Sequence, residues 1–261
     1  MDKALREEIK RQLRHSLQKY VSGFKYKTSH PLDLLIPKER KIRSLIGGLE
    51  TSMGTRVWEP VAKTLAKNNG FELIEGKILG PSPMPEKLAS ELAKLITARE
   101  NKSTWISSKD CVERLRKICR PINRTSLKYV RPAAGTGVDI YFRKNGIEYA
   151  YDTKTVQPNL GSIKSFNKQI LEWYAYRICK DPEVKIECRI AYPYNPFPTD
   201  FWSHTPHTKG IMEHHVDAVL ENEFWDFLSG MTNTYQHITE IFEELNAEGL
   251  GKELSDKIAL I

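Results

Sequence analysis

Residues 136–155 read TGVDIYFRKNGIEYAYDTKT. Asn145-Gly146 stands between two runs of alternating apolar residues. That is the strongest short-range signal for a β-hairpin, because both residues accept the positive φ that a tight two-residue turn demands. Strands are therefore expected over 137–143 and 147–154. A two-residue loop places Lys144 opposite Ile147 and, counted back along the strands, Asp139 opposite Asp152. Facing residues project from one face with Cβ atoms roughly 5 Å apart. Lys154, two residues beyond Asp152, points to that face as well. A bulge would move this pairing by one residue.

Two facing carboxylates are costly in a sheet that is only structural, because like charges opposite each other weaken the pairing. A cation between them removes the cost. Magnesium takes oxygen ligands, keeps several waters, and often binds through one or two carboxylates plus a phosphate. A neighbouring ammonium balances charge, contacts the phosphate, or helps orient and deprotonate a water. Asp139, Asp152 and Lys154 beside a metal are the set that in-line hydrolysis of a phosphodiester requires. The plain alternative is that all three decorate the solvent face of a hairpin.

Outward from the hairpin, residues 163–179 read as a helix and 184–192 as a strand. Residues 193–210 form a loop with four prolines, and helices are expected at 222–229, 233–247 and 251–260. Toward the N-terminus, Leu5, Ile9, Leu13, Leu17 and Val21 recur four apart, which predicts an amphipathic helix over 2–21. Residues 22–41 read as a loop. A long helical pattern follows over 42–69, with a boundary or kink near 59 set by Pro60 and a stop at Asn69-Gly70. A strand is expected over 71–79, then proline-rich GPSPMP, a helix over 86–99, and a helix capped by Ser107 with Asp110 three residues on. Strands enclosed by helices imply an α/β or α+β core with a helical periphery.

The 261 residues fit one large domain, or a core with a smaller appendage. A single domain over 1–261 is expected, comprising an N-terminal helix and loop (1–41), a catalytic core (42–192), and a loop and helical C-terminal part (193–261). Apolar content of 40% and charged content of 28% are those of a soluble globular protein. No run approaches the roughly 18 apolar residues of a membrane span. The N-terminus lacks the apolar block of a signal peptide, so no membrane and a cytoplasmic location are expected. Cys111, Cys119, Cys179 and Cys188 form no CxxC pair or zinc-finger spacing, and read as buried free thiols. A net charge of +7 favours polyanions such as nucleic acid.

GVDIYFRKNGIEYAYDTK resembles the active-site hairpin of the PD-(D/E)xK nuclease superfamily. Asp139 matches its first acid, Asp152 its second acid and Lys154 its lysine, while Val138 stands where the name has proline. WEPVAKTLAKNNGFELIEG (58–76) resembles the first helix of that fold. There Glu59 matches a glutamate that helps organise the metal site through water, and Glu50 is a poorer match. NKQILEWYAYR (167–177) resembles the helix behind the hairpin, where Gln169 matches a glutamine near the site. ENEFWDFLSG (221–230) is similar to a segment near the C-terminus of several restriction enzymes. IRSLIGGLETSMGTRVWEP (42–60) is similar to the TdeIII-like restriction endonucleases, a family associated with the site GGNCC.

The resemblance implies a restriction-endonuclease-like core, a mixed central sheet flanked by helices. It implies a type II restriction endonuclease acting on double-stranded DNA at a short palindromic site and leaving 5′-phosphate and 3′-hydroxyl ends. It further implies Mg²⁺ held by Asp139, Asp152 and the carbonyl of Thr153, with Lys154 positioning the attacking water. A homodimer is expected, since two-fold DNA symmetry is matched by two-fold protein symmetry, and a cognate DNA methyltransferase as genetic partner. Its rivals are a repair or junction-resolving nuclease of the same fold and a non-catalytic DNA-binding protein.

His204, His207, His214 and His215 cluster within twelve residues without a tight metal-binding spacing. They read as surface histidines, as part of a loop (192–210) that reads base edges, or as metal ligands. Arg131, Lys164, Lys168 and Gln169, with His204 and His207, are candidate DNA contacts, and Ser165, Arg56 and Lys63 are further phosphate candidates.

Overall fold

The computed structural model describes every residue except Thr28, Val156, Thr205, Pro206, Ile261 and the side chain of Thr208. The chain forms two compact units, residues 1–69 with 225–261 and residues 70–224.

The first unit opens with α1 (Lys3–Ser22), capped by the Asp2 carboxylate, which accepts from the Leu5 N–H at 2.9 Å. Leu5, Ile9, Leu13, Leu17 and Val21 are its buried stripe, as their spacing predicts. The second helix, α2 (Pro37–Met53), begins five residues before its apolar pattern does. Pro37 explains this: its φ is preset for a helix, and its missing N–H costs nothing in the first turn. The polar residues after it carry no periodic signal, so the segment 22–41 is helical at its end rather than all loop. One wide π turn (Gly54–Trp58) joins α2 to α3 (Glu59–Asn68), with the Glu59 N–H reaching the Gly54 carbonyl. Pro60 would clash with the carbonyl four residues back in a regular α-helix. The widened turn resolves that conflict, so the expected boundary is a π turn.

The second unit contains, in chain order, β1 (Glu72–Leu73), β2 (Gly80–Ser82), α4 (Glu86–Arg99), α5 (Ser108–Cys119), β3 (Lys128–Val130), β4 (Ile140–Lys144), β5 (Ile147–Thr153), α6 (Leu160–Lys180), β6 (Lys185–Tyr192) and β7 (Ala218–Leu220). Strands β1, β4, β5, β6 and β7 form a mixed sheet in that order. The pairs β1–β4 and β4–β5 are antiparallel, and β5–β6 and β6–β7 parallel. Helix α6 makes the crossover that a parallel β5–β6 pair requires. Strands β2 and β3 form a separate antiparallel pair. The helix α7 (Asn222–Ser229) follows, and α8 (Thr234–Ala247) and α9 (Leu250–Ala259) complete the first unit.

The core of the second unit lies between the sheet and α4, α5 and α6. It is built on Leu88, Leu92, Leu95, Leu115, Ile170, Trp173 and Ile190. All four cysteines are buried thiols. The strand expected over 71–79 is cut short after Leu73. Ile74 still donates to the Tyr141 carbonyl, but Gly76 then turns the chain at φ 107°. Strand β2 falls inside the proline-rich segment, and β7 is three residues long.

Two buried ionic clusters tie these layers. Arg99 pairs with Asp217, and the Ser108 hydroxyl also donates to Asp217. On β5, Glu148 accepts from Arg177 at 2.7 and 2.8 Å. Burial raises the Glu148 carboxyl, but hydrogen bonds from Arg177, Tyr141 and Arg143 outweigh it and hold the group at about 2.

Candidate active site

Asn145 and Gly146 have φ of 52° and 77°, the tight turn that the sequence predicts. The ladder runs from Lys144 opposite Ile147 to Ile140 opposite Tyr151, the expected register. One step further the pairing changes. The Asp139 N–H donates to the Tyr151 carbonyl at 2.9 Å, although Tyr151 is already the partner of Ile140. Two residues of one strand thus face one of the other, which is a β-bulge. The Asp139 carboxylate turns onto the end of β5, where Oδ2 accepts from the Thr153 N–H at 3.1 Å and the Thr153 hydroxyl at 3.3 Å.

Asp152 is 4% exposed. Its Oδ2 contacts Lys154 Nζ at 2.6 Å and accepts from Gln169 Nε2 at 2.8 Å. Burial pushes the Asp152 carboxyl up to about 7; a hydrogen bond with the Asp139 carboxyl adds to this, and Lys154 opposes it. The Lys154 ammonium also lies 5.2 Å from the centre of the Phe166 ring, on α6. Asp139, Asp152, Lys154 and Gln169 therefore meet at one end of the hairpin, under α6.

A hard cation fits this set. Two carboxylates lie against each other at a largely buried place, and burial together with the Asp139 carboxyl raises Asp152 despite the Lys154 ammonium beside it, so a divalent cation would relieve the repulsion that one ammonium does not. Carboxylate and carbonyl oxygens suit magnesium rather than a softer metal. Among the described residues no group of three or more His, Cys, Asp or Glu forms a metal cluster.

The other candidates have partners or surroundings of their own. Glu59 begins α3 in the first unit and pairs with Lys63 at 3.1 Å. On the second unit, Arg131 is exposed, Lys164 pairs with Glu100 at 2.8 Å, and Lys168 lies 3.7 Å from Glu172. His204 stacks on Phe197 with centroids 3.8 Å apart, and its Nε2 meets the Thr199 hydroxyl at 2.8 Å. His207 is enclosed instead of presented: it is 5% exposed, packed against Tyr192, Phe201 and Trp202. Burial, with His214 and His204 nearby, lowers its imidazole to about 4. The ring is therefore a neutral core group rather than a groove contact. In the same loop, Thr205 and Pro206 lie outside the described residues.

Sequence reading missed two neighbours of the site. Lys77 donates to the Val138 carbonyl at 3.1 Å, beside Asp139. The Tyr192 phenol is 1% exposed; burial, with Asp152 contributing, raises it, and its hydroxyl has no partner among the described residues. Neither has a local signal, since one is a lone lysine and the other the last residue of a strand.

The chain is similar to the type II restriction enzyme MjaII of Methanocaldococcus jannaschii, 24% identical over 208 residues, which cover 76% of this chain and 53% of that enzyme. Residues 1–246 match the model of the family described as "Type II restriction endonuclease, HinfI". The chain belongs to the HinfI family of type II restriction endonucleases. It spans about half the length of the curated relative it matches. No solved structure matches it. No helix among the described residues is long and apolar enough to cross a membrane.

Proposed function

We propose that this protein is a magnesium-dependent type II restriction endonuclease with a PD-(D/E)xK site. It hydrolyses double-stranded DNA at a short palindromic sequence and leaves 5′-phosphate and 3′-hydroxyl ends. The observation that carries this reading is the meeting of Asp139, Asp152, Lys154 and Gln169 at one end of the β4–β5 hairpin, in a chain of a restriction endonuclease family.

Asp139, Asp152 and the Thr153 carbonyl are the groups that would hold Mg²⁺. When bound, the ion supplies positive charge at the scissile phosphate and makes water more acidic. Lys154 is anchored on Asp152 and keeps further N–H groups, with which it orients the attacking water and contacts a phosphate oxygen. Gln169 holds the Asp152 carboxylate from α6. Thr153 holds that of Asp139. Both acids are thus fixed before substrate arrives, which is where electrostatic catalysis gains most.

Arg131, Lys164, Lys168 and His204 are the proposed DNA contacts. A two-fold homodimer, a cognate methyltransferase and a cytoplasmic location complete the reading. GGNCC is the proposed site, on the resemblance of residues 42–60 to the TdeIII-like enzymes. Glu59 is proposed to assist the metal site.

The test is digestion of unmethylated plasmid with Mg²⁺ and with EDTA, beside Asp152→Ala and Lys154→Ala. Discrete bands with Mg²⁺ alone, lost in both folded variants, are expected; the sequenced ends then give the site. A smear, or preference for branched DNA, supports a structure-selective nuclease instead. Full cleavage by folded Asp152→Ala overturns the site.

A further inference from the structure

Lys77 comes from outside the hairpin and donates to the Val138 carbonyl, next in sequence to Asp139. The Tyr141 carbonyl serves β1, by accepting from the Ile74 N–H, so Ile140 and Tyr151 form a hydrogen-bonded pair of the β4–β5 ladder. An unbroken ladder would next bond the Thr153 N–H to the Val138 carbonyl. The bulge at Asp139 removes that bond. Both freed groups find new partners: the Thr153 N–H goes to Asp139 Oδ2, and the Val138 carbonyl accepts from Lys77 Nζ, each at 3.1 Å. Val138 is 3% exposed, so an unpaired carbonyl there would be costly.

Gly137 supplies the room. A Cβ at that position would lie 2.9 Å from Lys77 Cδ and 3.0 Å from its Nζ. The lysine stem therefore runs against bare backbone. The obstructed atoms belong to a flexible side chain, so an alanine there would displace the lysine without breaking the sheet.

We propose that Lys77 is a positioning residue for Asp139. Its ammonium replaces the ladder donor lost at Val138, and so stabilises the bulge that turns the Asp139 carboxylate onto Thr153 and against Asp152. The proposal rests on the reading of Asp139 as a site carboxylate.

The test is amide hydrogen exchange, followed by NMR on the metal-free protein, for wild type, Lys77→Met, Lys77→Arg and Gly137→Ala. The Thr153 amide is expected to exchange roughly tenfold faster in Lys77→Met and in Gly137→Ala. Lys77→Arg restores part of the protection. The Cys188 amide, within β6, stays unchanged and reports an intact sheet. With Mg²⁺ and plasmid, single-turnover cleavage falls about tenfold in Lys77→Met and Gly137→Ala, while DNA affinity and its salt dependence hold. Unchanged Thr153 exchange in Lys77→Met overturns the proposal. So does a salt slope lower by about one with an unchanged rate at saturation, the mark of a plain phosphate contact. If wild type cuts no DNA but Lys77→Met still loosens Thr153, the nuclease reading fails and the positioning role stands.

Discussion

Gln169 Nε2 donates to Asp152 Oδ2 from a helix position that is only 5% exposed. The same oxygen takes the Lys154 ammonium. Two donors on one oxygen fix the carboxylate in place. Gln169→Leu keeps the volume and removes one donor. With Asp152 as the proposed metal ligand, a partner that orients it typically contributes 10–100-fold, so a single-turnover rate lower by roughly that factor is expected, with Tm little changed. Gln169→Glu places a third carboxylate beside the pair and is expected to be slower still. A Gln169→Leu enzyme that cuts at the wild-type rate would show that Asp152 is held without it.

In the absence of metal, burial pushes the Asp152 carboxyl up to about 7. The same group in an unfolded chain ionises near 3.9. Between about pH 4 and 7 the folded state therefore holds the extra proton, and stability falls as pH rises through that window. Asp152→Asn removes the burden. In EDTA its Tm advantage over wild type is expected to grow from pH 5 to pH 8, at roughly 2–4 °C per kcal/mol for a chain of this size. On the proposal that Asp152 holds Mg²⁺, protons and metal compete for this carboxylate, and half-saturating Mg²⁺ should rise by up to about tenfold per pH unit below 7. A Tm difference constant with pH would place the titration elsewhere.

The hairpin was legible because its cause is local. Asn145 and Gly146 accept positive φ, and alternation along both strands fixes the rest of the register. Asp152 and Lys154 sit where that register predicts. Asp139 does not follow it fully, because the bulge depends on Thr153 and Lys77 meeting the strand end, and Lys77 lies 62 residues from Asp139 in sequence. No period in the sequence reports such a contact. The short strands β1, β2, β3 and β7, of two or three residues, are likewise too brief to show alternation. His207 reads as polar in a proline-rich loop, and only the packing of Tyr192, Phe201 and Trp202 around it reveals a core residue.

The Arg99–Asp217 pair has side chains 1% and 2% exposed. Arg99 also donates to the Ile211 carbonyl, at 3.4 Å from Nε and 3.3 Å from Nη2. Asp217→Ala strands a buried guanidinium, which costs about 3–5 kcal/mol. Urea unfolding is expected to show that loss. The double variant Arg99→Met, Asp217→Leu removes both charges and should recover much of it, since a buried pair adds little beyond an apolar one of equal volume. Equal losses in single and double variants would mean that packing, rather than charge, dominates.

Lys164 and Lys168 lie one turn apart on the exposed side of α6, flanking buried Phe166, Asn167 and Gln169. Both already face a glutamate, yet this does not exclude a DNA role. Exposed ion pairs are worth only about 0–1 kcal/mol, so exchanging Glu100 or Glu172 for a phosphate oxygen costs little. Each phosphate neutralised releases counterions and adds roughly −0.9 to the slope of log K against log salt. The double variant Lys164→Ala, Lys168→Ala should therefore lower the steepness of that slope by up to about 2, with the rate at saturating DNA retained. Glu100→Gln should act the opposite way and strengthen binding at low salt, because Lys164 no longer has to leave a partner. A slope unchanged in the double variant would remove α6 from the DNA-facing surface and leave Arg131 and the loop carrying His204 as the remaining contacts to test.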